Sequence, residues 1–511
     1  MDIPVAGSAT VSIDDCSTLA YALTRWFGTF FTVTGQPVTD LIDQVILSGA
    51  RAEVSINEKS AVEAAIGLTA AGGRACVIMK HCGLAYALDS LANAAVHGTG
   101  GPLLIVSGDD CDAAHSTRIF DSRELAEAAG LPVLDLALDG DVGGMIAAAV
   151  EESASVGIPV IVRVTDRLHS FCRGGFPATE PLLFPLDEPT IPWRGVDTAV
   201  AHGLTKLGRH QRHRQVSVPQ LLVLHAVPPM LDRSCGEGCD TGVVVSGAAV
   251  HLLPPGDYCR LTVRAAWPLP ADVAKFARQH RRTLVAEEPG PYLETRLRQA
   301  EAGQAGLVLG RLTGHLPPEG SLSAEQVKAA LDGAGPREWP EIAHKSPVAA
   351  AAPPAYAQLF EAITQLQRAG AFVATDVGSS VRLCYPPYQA ATVALSLGSA
   401  IGVAGGAARA GRDAIAVTGD YALTHSGLEA LIDCGRLRLP VLVLVLDNGL
   451  QAQTGSQPLP HADRAALVRA CGIATVLDME TGDAATTLER LSAILHDPER
   501  RPAVVFARTG G

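Results

Sequence analysis

Short, almost entirely apolar runs recur along the chain, and longer stretches with helical periodicity separate them. Such runs occur at residues 75–79, 103–106, 158–162, 242–245, 284–286, 414–417 and 441–446. Helical stretches lie between them, for example at 60–71 and 426–434. A strand that is apolar on both faces suits a parallel sheet covered by helices on both sides. The sequence therefore predicts an α/β protein built from doubly wound sheets.

Charge and composition limit the classes of partner. The 511 residues carry 40 Lys+Arg against 53 Asp+Glu, a formal net charge of −13. Nucleic acids and anionic membranes are bound by basic surfaces, so we predict neither as a partner. A hydrophobic content of 48% supplies several cores and excludes general disorder. No run approaches the ~18 apolar residues of a membrane span. Asp2 stands where a secretory signal carries positive charge, so we expect a cytoplasmic protein.

Two stretches of unusual composition divide the chain into three pieces. Residues 185–220 contain several prolines and the basic run RHQRHR (209–214), and we interpret them as an exposed connector. The low-complexity stretch SPVAAAAPP at 346–354 predicts a linker. We therefore predict three doubly wound domains, at 1–190, 215–345 and 355–511.

The most informative motif follows two successive apolar runs. Asp420 comes three residues after the run at 414–417, in TGDY, and Asn448 comes directly after Asp447 at the end of the next run. Parallel strands present their carboxyl ends at one edge of a sheet, so we expect these side chains to lie close together. Carboxylate and amide oxygens suit Mg²⁺, which in turn binds phosphates. Gly-Asp and Asp-Asn are also ordinary turn pairs, so either half alone would indicate little.

Long segments resemble a known family. GDYALTHSGLEALIDCGRLRLPVLVLVLDNGLQAQTG (419–455) resembles the thiamine diphosphate (ThDP) signature in the alpha subunits of indolepyruvate:ferredoxin oxidoreductase, within the 2-oxo acid:ferredoxin oxidoreductase superfamily. INEKSAVEAAIGLTAAGGRACVIMKHCGL (56–84) is similar to that family's pyrimidine-binding domain, and WPLPADVAKFARQHRRTLVAEEPGPYLE (267–294) to its middle domain. The resemblance implies a ThDP-binding fold with pyrimidine-binding, middle (transketolase C-terminal-like) and diphosphate-binding domains, in that order.

The resemblance also implies the cofactors, thiamine diphosphate and Mg²⁺, and the residues that bind them. The implied metal ligands are the side chains of Asp420 and Asn448 and the backbone oxygen of Leu450. The implied cofactor contacts are Glu58, Gly398, Ser399, Ala400, Gly419, Asp420, Tyr421, Asn448 and Leu450. The small residues at 398–400 would alternatively serve close helix packing. The family commonly has a small residue where this chain has Tyr421.

Three residues are predicted to be catalytic. Glu58 lies at the position of the family's activating glutamate, where a carboxyl in a dry pocket relays a proton to the cofactor. Without the resemblance, Asn57-Glu58 would be interpreted as a helix cap with an acidic first turn. His81 (in MKHCGL) and His425 (in THSG) stand where the family also has histidine. Each is either an acid–base group or a structural histidine.

Two further residues resemble substrate contacts. Thr39, in TGQPVTD, resembles a threonine that contacts substrate in the superfamily, although the segment departs from the family's YPGTP sequence. Arg123, in HSTRIFDSR, would pair with a substrate carboxylate. A solvated or helix-capping position would also explain Arg123.

The cysteines argue against an electron-transfer chain within this sequence. The eleven cysteines are scattered without any C-x₂-C pair, and we interpret them as free buried thiols of a reducing compartment; only Cys235 and Cys239 lie close together. APPAYAQLF (352–360) replaces the family's CPGCPH, and Gly378-Ser379 replaces its Gly-Cys. The chain ends at Gly511 without the family's ferredoxin-like domain. We therefore predict no iron–sulfur cluster.

These observations lead to a predicted activity and an alternative. Oxidation of a 2-oxo acid to an acyl-CoA needs two one-electron acceptors, whereas decarboxylation to an aldehyde, or carboligation, needs none. We therefore predict a ThDP- and Mg²⁺-dependent 2-oxo acid decarboxylase or carboligase, that is, a lyase or C–C transferase. The alternative is the catalytic subunit of a 2-oxo acid oxidoreductase whose electron acceptor lies on another chain. Retention of Glu58, Asp420 and Asn448 together argues against a catalytically silent scaffold.

The predicted partners are a small-molecule 2-oxo acid and a second copy of the chain. The family's cofactor commonly lies across a subunit interface, which implies at least a homodimer.

Overall fold

The chain folds into two compact units, Met1–Pro340 and Glu341–Gly511. The computed structural model describes residues 15–137, 141–168, 204–235, 239–300, 307–340, 354–451, 457–459, 462–480 and 482–508. Most of the predicted connector (185–203) and of the predicted linker (346–353) lies outside these residues, so the three domain boundaries stay predictions. Among the described residues, no helix has the length and apolar character needed to cross a membrane.

Unit one contains two α/β sheets. Its strands are β1 (Thr29–Thr32), β2 (Arg51–Val54), β3 (Ala75–Lys80), β4 (Leu103–Asp109), β5 (Val133–Asp135), β6 (Val160–Thr165), β7 (Leu231–Ser234), β8 (Thr241–Ser246), β9 (Cys259–Val263), β10 (Ala265–Trp267), β11 (Arg282–Ala286) and β12 (Leu307–Leu309). Its helices are α1 (Asp15–Thr24), α2 (Thr39–Leu47), α3 (Glu58–Ala70), α4 (His81–Tyr86), α5 (Leu88–His97), α6 (Ser122–Ala129), α7 (Val142–Val156), α8 (Lys206–Arg212), α9 (Val218–His225), α10 (Ala271–Arg278), α11 (Tyr292–Ala300) and α12 (Ala324–Leu331).

Parallel pairing dominates both sheets of unit one. The first has the order β10-β5-β6-β4-β3-β1-β2, and the second has the order β12-β11-β8-β9-β7. Only the edge strands β10 and β7 run antiparallel to their neighbours. Every residue of β3, β4 and β6 is buried, as expected for strands covered on both faces. The predicted α/β class is confirmed, and β10 joins the first sheet although it comes from the predicted middle domain.

Unit two contains the third sheet. Its strands are β13 (Phe372–Thr375), β14 (Val393–Ala394), β15 (Ala414–Gly419), β16 (Val441–Asp447), β17 (Leu450–Gln451), β18 (Gln457–Pro458), β19 (Thr475–Glu480) and β20 (Ala503–Arg508). Its helices are α13 (Ala357–Arg368), α14 (Ala400–Arg409), α15 (Asp420–Ala422), α16 (Leu428–Arg436), α17 (Arg464–Ala470) and α18 (Ala484–Leu495). Six strands form an all-parallel sheet in the order β14-β13-β15-β16-β20-β19, and β17 and β18 form a separate antiparallel pair.

Part of the predicted connector is helical. Residues 206–225 form α8, a π-helical turn and α9. No proline interrupts 204–217, and Pro219 lies in the first turn of α9, where a missing backbone N–H is tolerated. Arg212 and Arg214 are exposed as predicted for the basic run, but His213 between them is buried.

The prediction that all cysteines are free thiols is wrong for one pair. Cys235 forms a disulfide with Cys259, while Cys239, its neighbour in the sequence, stays free. Cys235 follows β7 and Cys259 opens β9, and these strands are antiparallel neighbours in the second sheet. The two cysteines therefore face each other across the strands although 24 residues separate them.

Candidate functional site

Three predicted site residues lie at the carboxyl edge of the first sheet. Thr39, Glu58 and His81 each open a helix that follows a strand, namely β1, β2 and β3 respectively. Because β2, β1 and β3 are parallel neighbours, these helix starts lie along one edge of the sheet, where open α/β folds bind ligands. All three side chains are buried.

Glu58 is not the cap of its helix. Asn57 fills that role, because its Oδ1 accepts a hydrogen bond of 2.8 Å from the backbone N–H of Ser60. Glu58 is only 7% exposed to solvent, although it is the first residue of a helix. A buried carboxyl that is not needed as a cap favours the catalytic interpretation over the structural one.

Gly83 in α4 makes room for Glu58, and sequence reasoning missed this role. A Cβ at position 83 would lie 2.3 Å from Glu58 Cγ and 2.5 Å from its Oε1. Both distances are far inside van der Waals contact, so any side chain at position 83 displaces the carboxyl. The only sign of this role in the sequence is that Gly83 comes two residues after the predicted site residue His81.

We expect Gly83→Ala to lower ThDP-dependent turnover by about 10²-fold, because a displacement of about 1 Å in a catalytic group costs that much. The measurement is the rate of CO₂ release from a 2-oxo acid with coenzyme A and a one-electron acceptor dye present, with thermal unfolding to confirm that the variant is folded. Gly67→Ala in α3 is the matched control, since no atom lies within 4 Å of the position that its Cβ would take. Equal turnover in both variants would contradict the role of Gly83.

His81 is a buried histidine at the start of α4, with one ring nitrogen near backbone groups and the other unused. Its Nδ1 lies 3.1 Å from the Gly108 carbonyl oxygen and 3.2 Å from the Asp110 backbone nitrogen. The tautomer of the ring decides which of the two it bonds. Its Nε2 is buried without a hydrogen-bond partner among the described residues. Burial lowers the pKa of His81, which favours the neutral form of the ring. A neutral imidazole with one unused nitrogen is suited to hydrogen-bonding a bound ligand.

Arg123 lies in a buried ion network instead of an open pocket. Its side chain is 0% exposed, and its Nη2 and Nη1 lie 2.6 Å from Asp121 and 2.8 Å from Glu287. Nη2 also donates to the backbone oxygen of Glu288, 2.8 Å away. Because these groups already use its guanidinium, Arg123 has little capacity left for a substrate carboxylate. Arg163 of β6 donates to the same Glu288 oxygen (2.7 Å) and pairs with Asp109 of β4 (2.6 Å). Because Glu287 and Glu288 follow β11, the network links the two sheets of unit one.

The carboxyl edge of the third sheet holds the predicted metal ligands. Asp420 follows β15 and Asn448 follows β16, and Gly419 pairs with Leu446 in these neighbouring parallel strands. Asp420 is buried, and its Oδ1 and Oδ2 accept backbone N–H groups of Tyr421 (2.8 Å) and Gly449 (2.7 Å). The predicted adjacency of the two strand ends is confirmed.

The donor chemistry at this edge fits a hard cation. Burial, together with the neighbouring Asp447 carboxyl, raises the pKa of Asp420 to about 6. Each Asp420 oxygen keeps a lone pair after accepting one hydrogen bond. Asn448 Oδ1 accepts from the Leu450 N–H at 3.0 Å. The Asp420 carboxyl and the Asn448 amide oxygen are ligands that Mg²⁺ prefers, whereas Asp447 is already paired with Arg464 (2.6 Å).

A glycine in the left-handed region leads into α14. Gly398 has φ +78°, and a Cβ there would lie 2.3 Å from Ser426 Oγ and 2.8 Å from the Ala422 carbonyl oxygen. Ser399 and Ala400 follow at the amino end of the ten-residue α14. Backbone N–H groups at a helix start, approached through a glycine, fit the phosphate groups of the predicted cofactor.

Asp376 is a buried carboxyl near that glycine loop, and sequence reasoning missed it. Asp376 follows β13, is fully buried, and accepts hydrogen bonds from the side chains of Ser380 (2.7 Å) and Thr418 and from the backbone N–H of Gly378 (3.3 Å). Burial raises the pKa of Asp376. Its position directly after a strand was the available signal, because β13 neighbours β15 in the sheet.

His425 and Tyr421 pack together beside the same edge. Their rings meet edge to face at 5.6 Å, and His425 lies in the π-helical turn between α15 and α16. π-Helical turns are frequent at functional sites. His425 Nδ1 lies 3.2 Å from Ser426 Oγ, which in turn donates to the Leu397 carbonyl beside Gly398.

Comparison with known proteins defines the class. Residues 17–121 match the family described as thiamine pyrophosphate enzyme, N-terminal TPP binding domain, and residues 376–505 match the corresponding C-terminal TPP binding domain. The chain is 30% identical over 475 residues to the indolepyruvate oxidoreductase subunit IorA of Methanothermobacter thermautotrophicus, covering 87% of this chain and 76% of that protein. The chain belongs to the family of these IorA-type thiamine pyrophosphate enzymes.

Other similar proteins carry related names. The indolepyruvate oxidoreductase subunit IorA of Pyrococcus abyssi is 26% identical over 498 residues, 86% of this chain and 74% of that protein. Among solved structures, 2-oxoglutarate:ferredoxin oxidoreductase from Magnetococcus marinus is similar at a TM-score of 0.47 and 15% identity, over 63% of this chain and 64% of that chain. Similarity at that level supports no conclusion about this chain.

The comparisons confirm the predicted family and the dependence on thiamine pyrophosphate. The curated relatives are named oxidoreductases and not decarboxylases or lyases. They therefore favour the alternative activity, a 2-oxo acid oxidoreductase subunit, over the decarboxylase or carboligase that the missing cysteine pairs had suggested.

Proposed function

We propose that this chain is the ThDP-binding catalytic subunit of a 2-oxo acid oxidoreductase similar to indolepyruvate oxidoreductase, with the electron acceptor on another chain. The observation that carries the proposal is the alignment of 87% of the chain with a protein of that name. The relatives are named as subunits, which supports a partner chain. APPAYAQLF (352–360) in place of the family's CPGCPH supports placing the acceptor outside this sequence. We also propose that the chain pairs with a second copy of itself.

The proposed cofactor contacts of unit two divide between metal and phosphate. Asp420, Asn448 and the backbone oxygen of Leu450 would hold Mg²⁺, and the support is that a buried carboxyl and an amide oxygen follow two neighbouring parallel strands at one edge of the sheet. The residues proposed to hold the diphosphate are Gly398, Ser399, Ala400, Gly419 and Tyr421. The support for them is the left-handed Gly398 at the start of α14.

The proposed catalytic groups hold and move protons. When bound, ThDP supplies a carbon nucleophile for the 2-oxo acid carbonyl and an electron sink for loss of CO₂. Glu58 would exchange a proton through its buried carboxyl, and His81 would offer its unused Nε2 to the substrate. His425, beside Tyr421, would serve as a second acid–base group, and Thr39 would contact the substrate.

Arg123 is proposed as a structural residue, because its guanidinium is already paired with Asp121 and Glu287.

The proposed net reaction balances with two one-electron acceptors. A 2-oxo acid and coenzyme A give CO₂ and an acyl-CoA, and the oxidation releases two electrons and two protons. Each acceptor takes one electron. The competing function is non-oxidative: the carboxyl group is lost without any acceptor and the product is an aldehyde or an acyloin.

The test is CO₂ release by the purified chain with ThDP, Mg²⁺, coenzyme A and a panel of 2-oxo acids that includes arylpyruvates. Each acid is assayed with and without a one-electron acceptor dye. We expect CO₂ release to depend on the dye and to produce an acyl-CoA with two dye molecules reduced per CO₂. Full-rate CO₂ release without dye, yielding an aldehyde or acyloin, would overturn the oxidoreductase proposal in favour of the decarboxylase.

A further inference from the structure

Two cysteines and a histidine meet in the second sheet, away from the residues assigned above. The ligand atoms of Cys235, Cys259 and His280 all lie within 4.8 Å of one another. Cys235 follows β7, Cys259 opens β9, and His280 comes two residues after α10. Three separate segments thus bring two sulfurs and an imidazole to one point.

A backbone carbonyl holds one ring nitrogen of the histidine and leaves the other available. His280 is buried, and its Nδ1 lies 2.8 Å from the Phe276 carbonyl oxygen, which can only accept a hydrogen bond. Nδ1 therefore carries the proton, and Nε2 keeps a free lone pair, since a neutral imidazole has one proton to give. A ligating histidine characteristically donates its other N–H to a carbonyl or carboxylate.

Neighbouring backbone fixes the imidazole further. A Cβ at Gly242 of β8 would lie 2.8 Å from His280 Nδ1, so only glycine lets the strand pass this close to the ring. Cys259 is buried, whereas Cys235 is exposed and gives the cluster access to solvent. The exposed Cys235 thus provides the entry path that a metal ion needs to reach the cluster.

We propose that in the reduced protein Cys235, Cys259 and His280 bind one Zn²⁺. Two molecules of a small thiol reduce the Cys235–Cys259 bond, leaving two protein S–H groups, and are themselves joined as a disulfide. Zn²⁺ then replaces the two thiol protons, and two thiolates with one imidazole nitrogen occupy three of its four tetrahedral positions. Thiolates select a soft cation over Mg²⁺, so this site is chemically distinct from the Asp420 edge. The disulfide and the metal are mutually exclusive states of the same sulfurs.

The test uses the full-length chain, reduced with a small thiol, freed of it by desalting without oxygen, and titrated with Zn²⁺ and separately with Co²⁺. We expect about one tightly bound ion per reduced chain, a thiolate-to-cobalt charge-transfer absorption with Co²⁺, and no tight binding by the oxidised chain. Cys235→Ser and His280→Gln should each weaken Zn²⁺ binding at least tenfold, since loss of even a supporting partner typically costs roughly 10–100-fold. Cys471→Ser, in unit two, is the control and should bind Zn²⁺ as the unsubstituted chain does.

Several outcomes would overturn the proposal. These are the absence of bound metal in the reduced chain, equal binding by the oxidised chain, or equal affinity in Cys235→Ser. Because Cys235 is exposed, its serine variant should stay folded, so it remains decisive if His280→Gln unfolds. The readouts do not involve catalytic turnover, so the result is independent of the proposed oxidoreductase activity.

Discussion

Replacing Glu58 by glutamine is expected to reduce ThDP-dependent turnover by about 10²- to 10⁴-fold, the usual contribution of a positioned acid–base group. The amide has nearly the volume of the carboxyl and fills the same space beside Gly83, so the packing of α3 against α4 should persist. It cannot exchange the proton, however. We therefore expect ThDP to bind while CO₂ release almost disappears.

The Glu58→Gln experiment pairs CO₂ release with cofactor binding measured by calorimetry. Glu63→Gln is the matched control on the same helix, because Glu63 is bonded to Lys59 and to Ser90 Oγ (2.9 Å) at a half-exposed position. A surface pair of this kind contributes little, so its turnover should stay near that of the unsubstituted chain. Normal turnover in Glu58→Gln would exclude Glu58 from proton transfer.

The strand ends that carry the candidate site were predictable from sequence. The apolar runs at 414–417 and 441–446 are parts of β15 and β16, and the structure pairs them in parallel. Once two buried parallel strands are adjacent, the polar residue after each of them has to lie at the same edge. This reasoning needs only local composition, which is why it succeeds for Asp420 and Asn448.

Contacts between distant segments were not predictable in the same way. The space for the Glu58 carboxyl depends on Gly83, and the space at Gly398 is bounded by Ala422 and Ser426. In both cases the partner comes from another strand–helix connection. The burial of Arg123 depends on Glu287, 164 residues away. A single sequence specifies which residues are charged or small, but the register of packed helices decides which of them meet.

Gly398→Ala is expected to weaken ThDP binding by roughly tenfold to a hundredfold. The backbone there has φ +78°, in the left-handed region. A non-glycine residue in that region costs about 1–3 kcal/mol, and about 1.4 kcal/mol corresponds to a factor of ten in affinity. The added Cβ would also lie 2.8 Å from the Ala422 carbonyl oxygen and 2.9 Å from the Gly427 nitrogen. Both atoms belong to backbone, so a side-chain rotation cannot relieve the overlap, and the start of α14 has to move away from the proposed diphosphate position.

Gly406→Ala in the same helix separates this local effect from a general loss of stability. No atom lies within 4 Å of a Cβ at position 406. Alanine is favoured over glycine inside a helix by about 0.5–1 kcal/mol. Gly406→Ala should therefore bind ThDP normally and unfold at an equal or higher temperature. Both variants are titrated with ThDP and Mg²⁺ well below their unfolding temperatures, so that only folded protein is compared. If Gly398→Ala binds as tightly as Gly406→Ala, the amino end of α14 does not hold the diphosphate, and Gly398 serves only the close packing of α14 against the turn at 422–427.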